Sequence, residues 1–130
     1  MRALPAAVAI LAALSGPAQA ASGAQEIVAQ ASTNNRQDLV SAQIRPARSG
    51  CSEISVRSGS LPMMLLAIEI EHADGTTRRQ IYQQSLPPGH ASAPMPSDPR
   101  QDISRILVTK KPGLRDGETV LQILGRCGPR

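Results

Sequence analysis

From Asp38 onward, apolar and polar residues alternate along the chain. Val40, Ala42 and Ile44 stand between Ser41, Gln43 and Arg45, and Pro46 closes the run. A period of two sends successive side chains to opposite faces, so 38–46 reads as a half-buried strand. Ser49-Gly50 marks a turn, 52–58 alternates again with Ile54 and Val56 on one face, and Ser58-Gly59-Ser60 ends that run. The strongest segment is 63–72. Met64, Leu66, Ile68 and Ile70 form one apolar face, while the other changes from Met63, Leu65 and Ala67 to Glu69 and Glu71. Such a strand is central at its apolar end and meets solvent at its acidic end. Asp74-Gly75 is a strong hairpin turn. The returning strand, 76–86, is more polar and suits an edge. Arg78 and Arg79 then face the acidic end of its neighbour, and cross-strand opposite charges contribute roughly 0.2–1 kcal/mol per pair.

Two further strands are predicted. Ile106, Leu107 and Val108 carry 103–110. In 118–127, Leu121, Ile123 and Cys127 share one face and Val120 and Leu124 the other. Between the two halves, 87–102 contains five prolines, which exclude helix and ladder pairing. It reads as a long loop, and loops on a rigid scaffold are where binding residues concentrate. Ahead of the strands, Ser22-x-x-Gln25 could cap a short helix through Ile27, Val28 and Ala31 that ends near Asn34-Asn35. Residues 21–37 are therefore expected to be a flexible or short-helical arm. Six evenly spaced strands predict an all-β fold: a small antiparallel β-sandwich of immunoglobulin-like architecture, in a single domain over 38–130.

The first 20 residues change the picture by giving an address. Arg2 precedes an apolar stretch from Ala6 to Leu14, Ser15-Gly16-Pro17 breaks it, and Ala18-Gln19-Ala20 is a small-x-small cleavage site. This is the layout of a secretory signal peptide, with an apolar core too short to span a bilayer. The mature protein is expected to begin at Ala21 and to be periplasmic or secreted, in a bacterium by its arginine-rich composition. With no later apolar run of membrane length, it is not expected to be an integral membrane protein. In such a compartment Cys51 and Cys127, the two cysteines of the chain, are expected to form a disulfide.

Composition narrows the partners. The chain has no Phe, no Trp and one Tyr, so it lacks the aromatic platforms on which sugars and single-stranded nucleic acids stack. The formal net charge of +4 is mild, and no nucleic acid is expected as partner. Cation pairs at Arg45/Arg48, Arg78/Arg79, Lys110/Lys111 and Arg126/Arg130 are mostly explained by solvated faces and guarded strand edges. They also admit an anionic lipid or polysaccharide.

Candidate chemistry is sparse. The histidines are His72 and His90, no G-x-S-x-G, C-x-x-C or phosphate-cradling glycine motif occurs, and Glu69 and Glu71 share a solvent face. No catalytic residue, cofactor or metal is assigned, and the protein is not expected to be an enzyme. The leading expectation is an exported interaction module that binds another protein of the cell envelope or outside the cell. Its contact regions would be 87–102 and the Arg78/Arg79 strand, with Arg78, Arg79, His90 and Met95 as candidate binding residues. Two alternatives remain. One is an assembly chaperone or subunit of a surface fibre or secretion machine, working by β-augmentation. The other is a periplasmic copper-binding protein using His90 and Met95, with Met63, Met64 and His72 as further soft or borderline ligands.

Overall fold

The computed structural model describes residues 24–128. The expected signal peptide lies outside them. Among the described residues the regular elements are eight strands: β1 Gln25–Asn34, β2 Leu39–Arg48, β3 Cys51–Arg57, β4 Met63–His72, β5 Thr77–Leu86, β6 Met95–Pro96, β7 Ile103–Lys110 and β8 Glu118–Cys127. They form two antiparallel four-stranded sheets, β1-β8-β3-β6 and β2-β7-β4-β5. No described helix is long and apolar enough to cross a membrane.

Alternation builds the elements as the sequence implies. In β2, Val40, Ala42 and Ile44 are buried between exposed Leu39, Ser41 and Gln43. β4 is central, between β5 and β7, and its period breaks where the register shifts between Leu65 and Ala67. Met63, Leu65 and Ala67 are buried and then Ile68 and Ile70, so Met64 and Leu66, expected on the Ile68/Ile70 face, are half-buried. One core joins both sheets, with Ile54, Val56, Leu121 and Ile123 from the first and Leu65, Ile68, Ile70, Ile103, Ile106 and Val108 from the second. With no Phe or Trp in the chain, stability rests on these branched aliphatics, each contributing roughly 1.5–3 kcal/mol on burial.

The strand order corrects the immunoglobulin-like expectation. Antiparallel pairs form between β1 and β8, β2 and β7, β3 and β6, and β4 and β5. They are nested, as in one long hairpin folded over, and β3·β8 and β4·β7 pairings close the roll. That is the order of an eight-stranded jelly roll. In an immunoglobulin domain the first two strands are neighbours in one sheet, whereas β1 and β2 here belong to different sheets.

Two expectations on elements are also corrected. Residues 25–34 are a strand and no helix, paired with β8 along their length. The inward residues Ala29, Ala31 and Thr33 are small, and a bulge falls between Ile27 and Ala29. Small residues and an interrupted period hide the alternation. The domain therefore includes β1. The second correction concerns 87–102, which is pinned along β3. The Ser92 N–H donates to the Val56 carbonyl (2.8 Å), and the Ser97 N–H to the Ser52 carbonyl (2.9 Å). The Val56 N–H donates to Ser92 Oγ (3.0 Å). Prolines are tolerated because the ladder donors are serines, while Pro94, Pro96 and Pro99 sit exposed on the edge.

The Cys51–Cys127 disulfide is formed. The two cysteines are register partners on neighbouring strands β3 and β8.

Candidate interaction surface

β5 is an edge of the second sheet, hydrogen-bonded to β4 on one side only. Thr77 to Leu86 contains neither proline nor glycine. Its inward positions, Gln80, Tyr82, Gln84 and Leu86, are half-buried or buried, and its outward positions, Arg79, Ile81, Gln83 and Ser85, are exposed. The alternation is unbroken even where the pairing with β4 shifts between Leu65 and Ala67.

The register shows which backbone groups are free. The His72 N–H donates to the Thr76 carbonyl at 2.8 Å, which makes that pair hydrogen-bonded. Antiparallel pairs alternate between bonded and non-bonded. Ile70·Arg78 and Ile68·Gln80 are then bonded, whereas Glu69·Arg79 and Ala67·Ile81 are not. Arg79 and Ile81 therefore turn both their N–H and C=O groups to the open edge. Ile81 is 68% exposed, although it is a large aliphatic residue. β5 thus offers hydrogen-bonding groups and an apolar side chain at the same place.

The two candidate arginines differ. Arg79 lies across from Glu69 with 3.8 Å between charged groups, both partly solvated. Exposed pairs of this kind contribute about 0–1 kcal/mol. Arg78 lies opposite Ile70 at the exposed end of the strand. Glu71 is taken by Arg105 of β7 at 2.7 Å, which holds that guanidinium above its ordinary value through the hydrogen bond first and the charge second.

The rest of the candidate surface is scaffold. Tyr82 donates its hydroxyl to the Ala93 carbonyl (3.0 Å), and the Ala93 N–H donates to Gln84 Oε1 (2.9 Å). These bonds tie the proline segment to the inner side of β5 and close that flank. Burial raises the Tyr82 hydroxyl above its ordinary value. His90 is exposed, with its ring Nδ1 3.1 Å from the Pro88 carbonyl. Met95, expected as a binding residue, is 1% exposed and belongs to the core. That assignment is corrected: β6 pairs with β3 and carries Met95 inward as its one apolar anchor. Met63 is likewise in the core. Buried thioethers are not available to an ion beside exposed His90. Among the described residues no group of three or more His, Cys, Asp or Glu could hold a metal ion.

A polar hollow of about 280 Å³ lies between His72, Ala73, Asp74, Arg100, Gln101 and Asp102. Its charged groups engage close neighbours. Asp74 accepts from the Thr76 hydroxyl and N–H (2.7 and 3.0 Å), which hold its carboxyl below the ordinary value. Arg100 is bound to Asp98 at 3.2 Å. The imidazole of His72 is buried, with Nδ1 3.3 Å from the Asp102 carbonyl.

Lys110 was not singled out by the sequence. Read with Lys111 as part of a solvated cation pair, it is 3% exposed. Its Nζ donates to the carbonyls of Asn34 (3.3 Å), Asn35 (3.1 Å) and Gln37 (2.6 Å), stapling the β1–β2 turn to the end of β7. The available signal was its place in the period: Ile106, Val108 and Lys110 continue one inward face. Burial lowers its pKa, opposed by the charge of Asp38.

No protein-family model matches the chain, and no curated protein matches it. Two likenesses to solved structures are of the backbone only. The first is to a chain of the infectious bursal disease virus Gx strain structure, at 18% identity and TM-score 0.40, covering 78% of this chain and 30% of that one. The second is to a chain from the structural and functional characterization of Pseudomonas aeruginosa AlgX, at 16% identity and TM-score 0.43, covering 81% and 27%. This chain thus spans less than a third of either.

Proposed function

We propose that this protein is an exported, non-enzymatic interaction module of the bacterial envelope that binds a protein partner by strand addition to the β5 edge. The observation that carries the reading is the edge itself: ten residues without proline or glycine, with the N–H and C=O groups of Arg79 and Ile81 turned outward. Main-chain hydrogen bonds to an added strand supply affinity, and alternate side chains supply specificity. Arg78 and Arg79 flank the apolar Ile81 and favour an acidic partner strand. Export is supported by the signal-peptide layout of residues 1–20 and by the disulfide, which persists in oxidising compartments. An assembly chaperone or subunit of a surface fibre or secretion machine would use the same edge.

The test is crosslinking in cells followed by capture of the mature protein, comparing wild type with Ile81→Pro. Because the Ile81 N–H points away from β4, proline there removes an edge donor without breaking a ladder bond. The expected result is a dominant envelope partner on the wild type, lost from Ile81→Pro at an unchanged melting temperature. A partner retained by a folded Ile81→Pro overturns the reading.

A further inference from the structure

An exposed edge of this length is a liability in any protein, since it templates pairing with other chains. The other edges are blunted. β6 has two residues, one of them proline, and β2 contains Pro46. β1 is bulged and bordered by β2, with Glu26 bound to Arg48 at 2.6 Å. β5 alone among the described edges is long and open, with one register shift in its pairing with β4 between Leu65 and Ala67.

Resting on the reading of β5 as a strand-binding edge, we infer that in the absence of the envelope partner the strand added to β5 is β5 of a second copy, in an antiparallel two-fold pair centred on Ile81. The register selects this centre. Free backbone groups come from the odd positions, so odd residues must face odd residues, and the two-fold passes through one of them or through the even residue between two. An axis at Gln80 or Tyr82 sets exposed Ile81 against Arg79 or Gln83 and leaves it without an apolar partner. Centred on Arg79, the pair sets that arginine against itself, and like charges directly opposite are destabilising. A centre at Gln83 places Arg79 opposite Pro87, which has no N–H to give. With Ile81 at the centre, Ile81 meets Ile81 of the second copy, Arg79 meets Gln83, and Thr77 meets Ser85. On the inward side Arg78 meets Gln84, and Gln80 meets Tyr82. No like charges oppose each other, the exposed aliphatic side chain is covered by its own symmetry mate, and donors match acceptors along the strand. The contact is isologous and closed, so it ends at a dimer and builds no fibre. The two β2-β7-β4-β5 sheets become one continuous sheet of eight strands across the dimer.

The experiment is oxidative crosslinking of single-cysteine variants, with sedimentation of the wild-type protein over a concentration series. The described cysteines are both in the disulfide, so an added thiol reports on its own position. In a bonded antiparallel pair the Cα atoms lie about 5.5 Å apart, inside the range a disulfide bridges. Ile81→Cys is expected to give a covalent dimer. Arg79→Cys and Gln83→Cys are each expected to stay monomeric alone and to crosslink when mixed. Residues 79 of the two copies stand four rises from register, roughly 13 Å apart. The wild-type mass should rise toward twice the monomer value with concentration, and Ile81→Pro should abolish the rise. Monomer mass at every concentration with no Ile81→Cys dimer overturns the inference, and self-crosslinking of Arg79→Cys overturns the register. The capture experiment separates the two readings. If Ile81→Pro loses the envelope partner while the wild type is always monomeric, strand addition stands and the second copy falls. A folded Ile81→Pro that keeps both the partner and the mass increase removes both.

Discussion

Lys110 and Met95 show how far single residues can be read from type alone. A lysine beside another lysine, and a methionine near a histidine in a proline-rich stretch, both suggest surface. Both are buried, because each continues an inward face. Two predictions follow at this scale. Met95→Ala should lower stability by about 2–5 kcal/mol through the cavity it leaves, measured by denaturant unfolding, while leaving β5 binding intact. Lys110→Met should cost about 1–3 kcal/mol by leaving three carbonyls without their donor. The pH dependence has a definite sign. The folded-state value of Lys110 lies below the ordinary 10.5, so the unfolded chain binds more protons in the interval between the two. Wild-type stability relative to Lys110→Met should therefore rise as pH rises through that interval and be lowest below it. Unfolding of both proteins in alkaline buffers reads this difference.

Among the elements, strands with contrast between their faces were legible in the sequence and those without it were not. β4, β7 and β8 have the bounds the alternation implies, and the ends of β2, β3 and β5 differ by one or two residues. β2 continues past Pro46 to Arg48 because an edge strand tolerates proline. β1 was hidden by its alanines and its bulge, and β6 by the prolines around it. The pairing of the proline segment bears on its role. Replacing 90–98 by a Gly/Ser linker removes Met95, the Ser92 and Ser97 ladder bonds and the Tyr82 acceptor together. It should lower the melting temperature markedly, where substitution of His90 alone should not. Calorimetry of the two variants tests this, and a linker variant as stable as wild type would return the segment to the status of a free loop. The open edge of β5 was legible from its polarity and from the Asp74-Gly75 turn before it. That Arg79 and Ile81 turn their backbone outward was not, because it depends on the phase of hydrogen bonding with β4.

For the whole molecule, topology is what the sequence withheld. Evenly spaced strands are shared by immunoglobulin and jelly-roll folds, and only long-range pairing distinguishes them. The nested order places the first and last strands side by side and bonds β3 to β8, which the disulfide also joins. Its two cysteines are 76 residues apart in sequence. Opening it by Cys51→Ser with Cys127→Ser should lower stability by roughly 4–5 kcal/mol in the chain-entropy account. That is of the order of a small domain's whole stability, so the double variant should be largely unfolded at physiological temperature by circular dichroism. An aliphatic scaffold closed in this way leaves one long edge open among the described strands, and the proposed function depends on that edge.

Amide hydrogen exchange along β5, residue by residue, tests that dependence most directly. In the dilute free protein the amides of Arg78 and Gln80 should be protected by β4, while those of Arg79 and Ile81 exchange fast. When the captured partner, or a second copy at high concentration, is present, Arg79 and Ile81 should become protected in the same alternating pattern. Protection that appears elsewhere while Arg79 and Ile81 remain fast would contradict strand addition at β5.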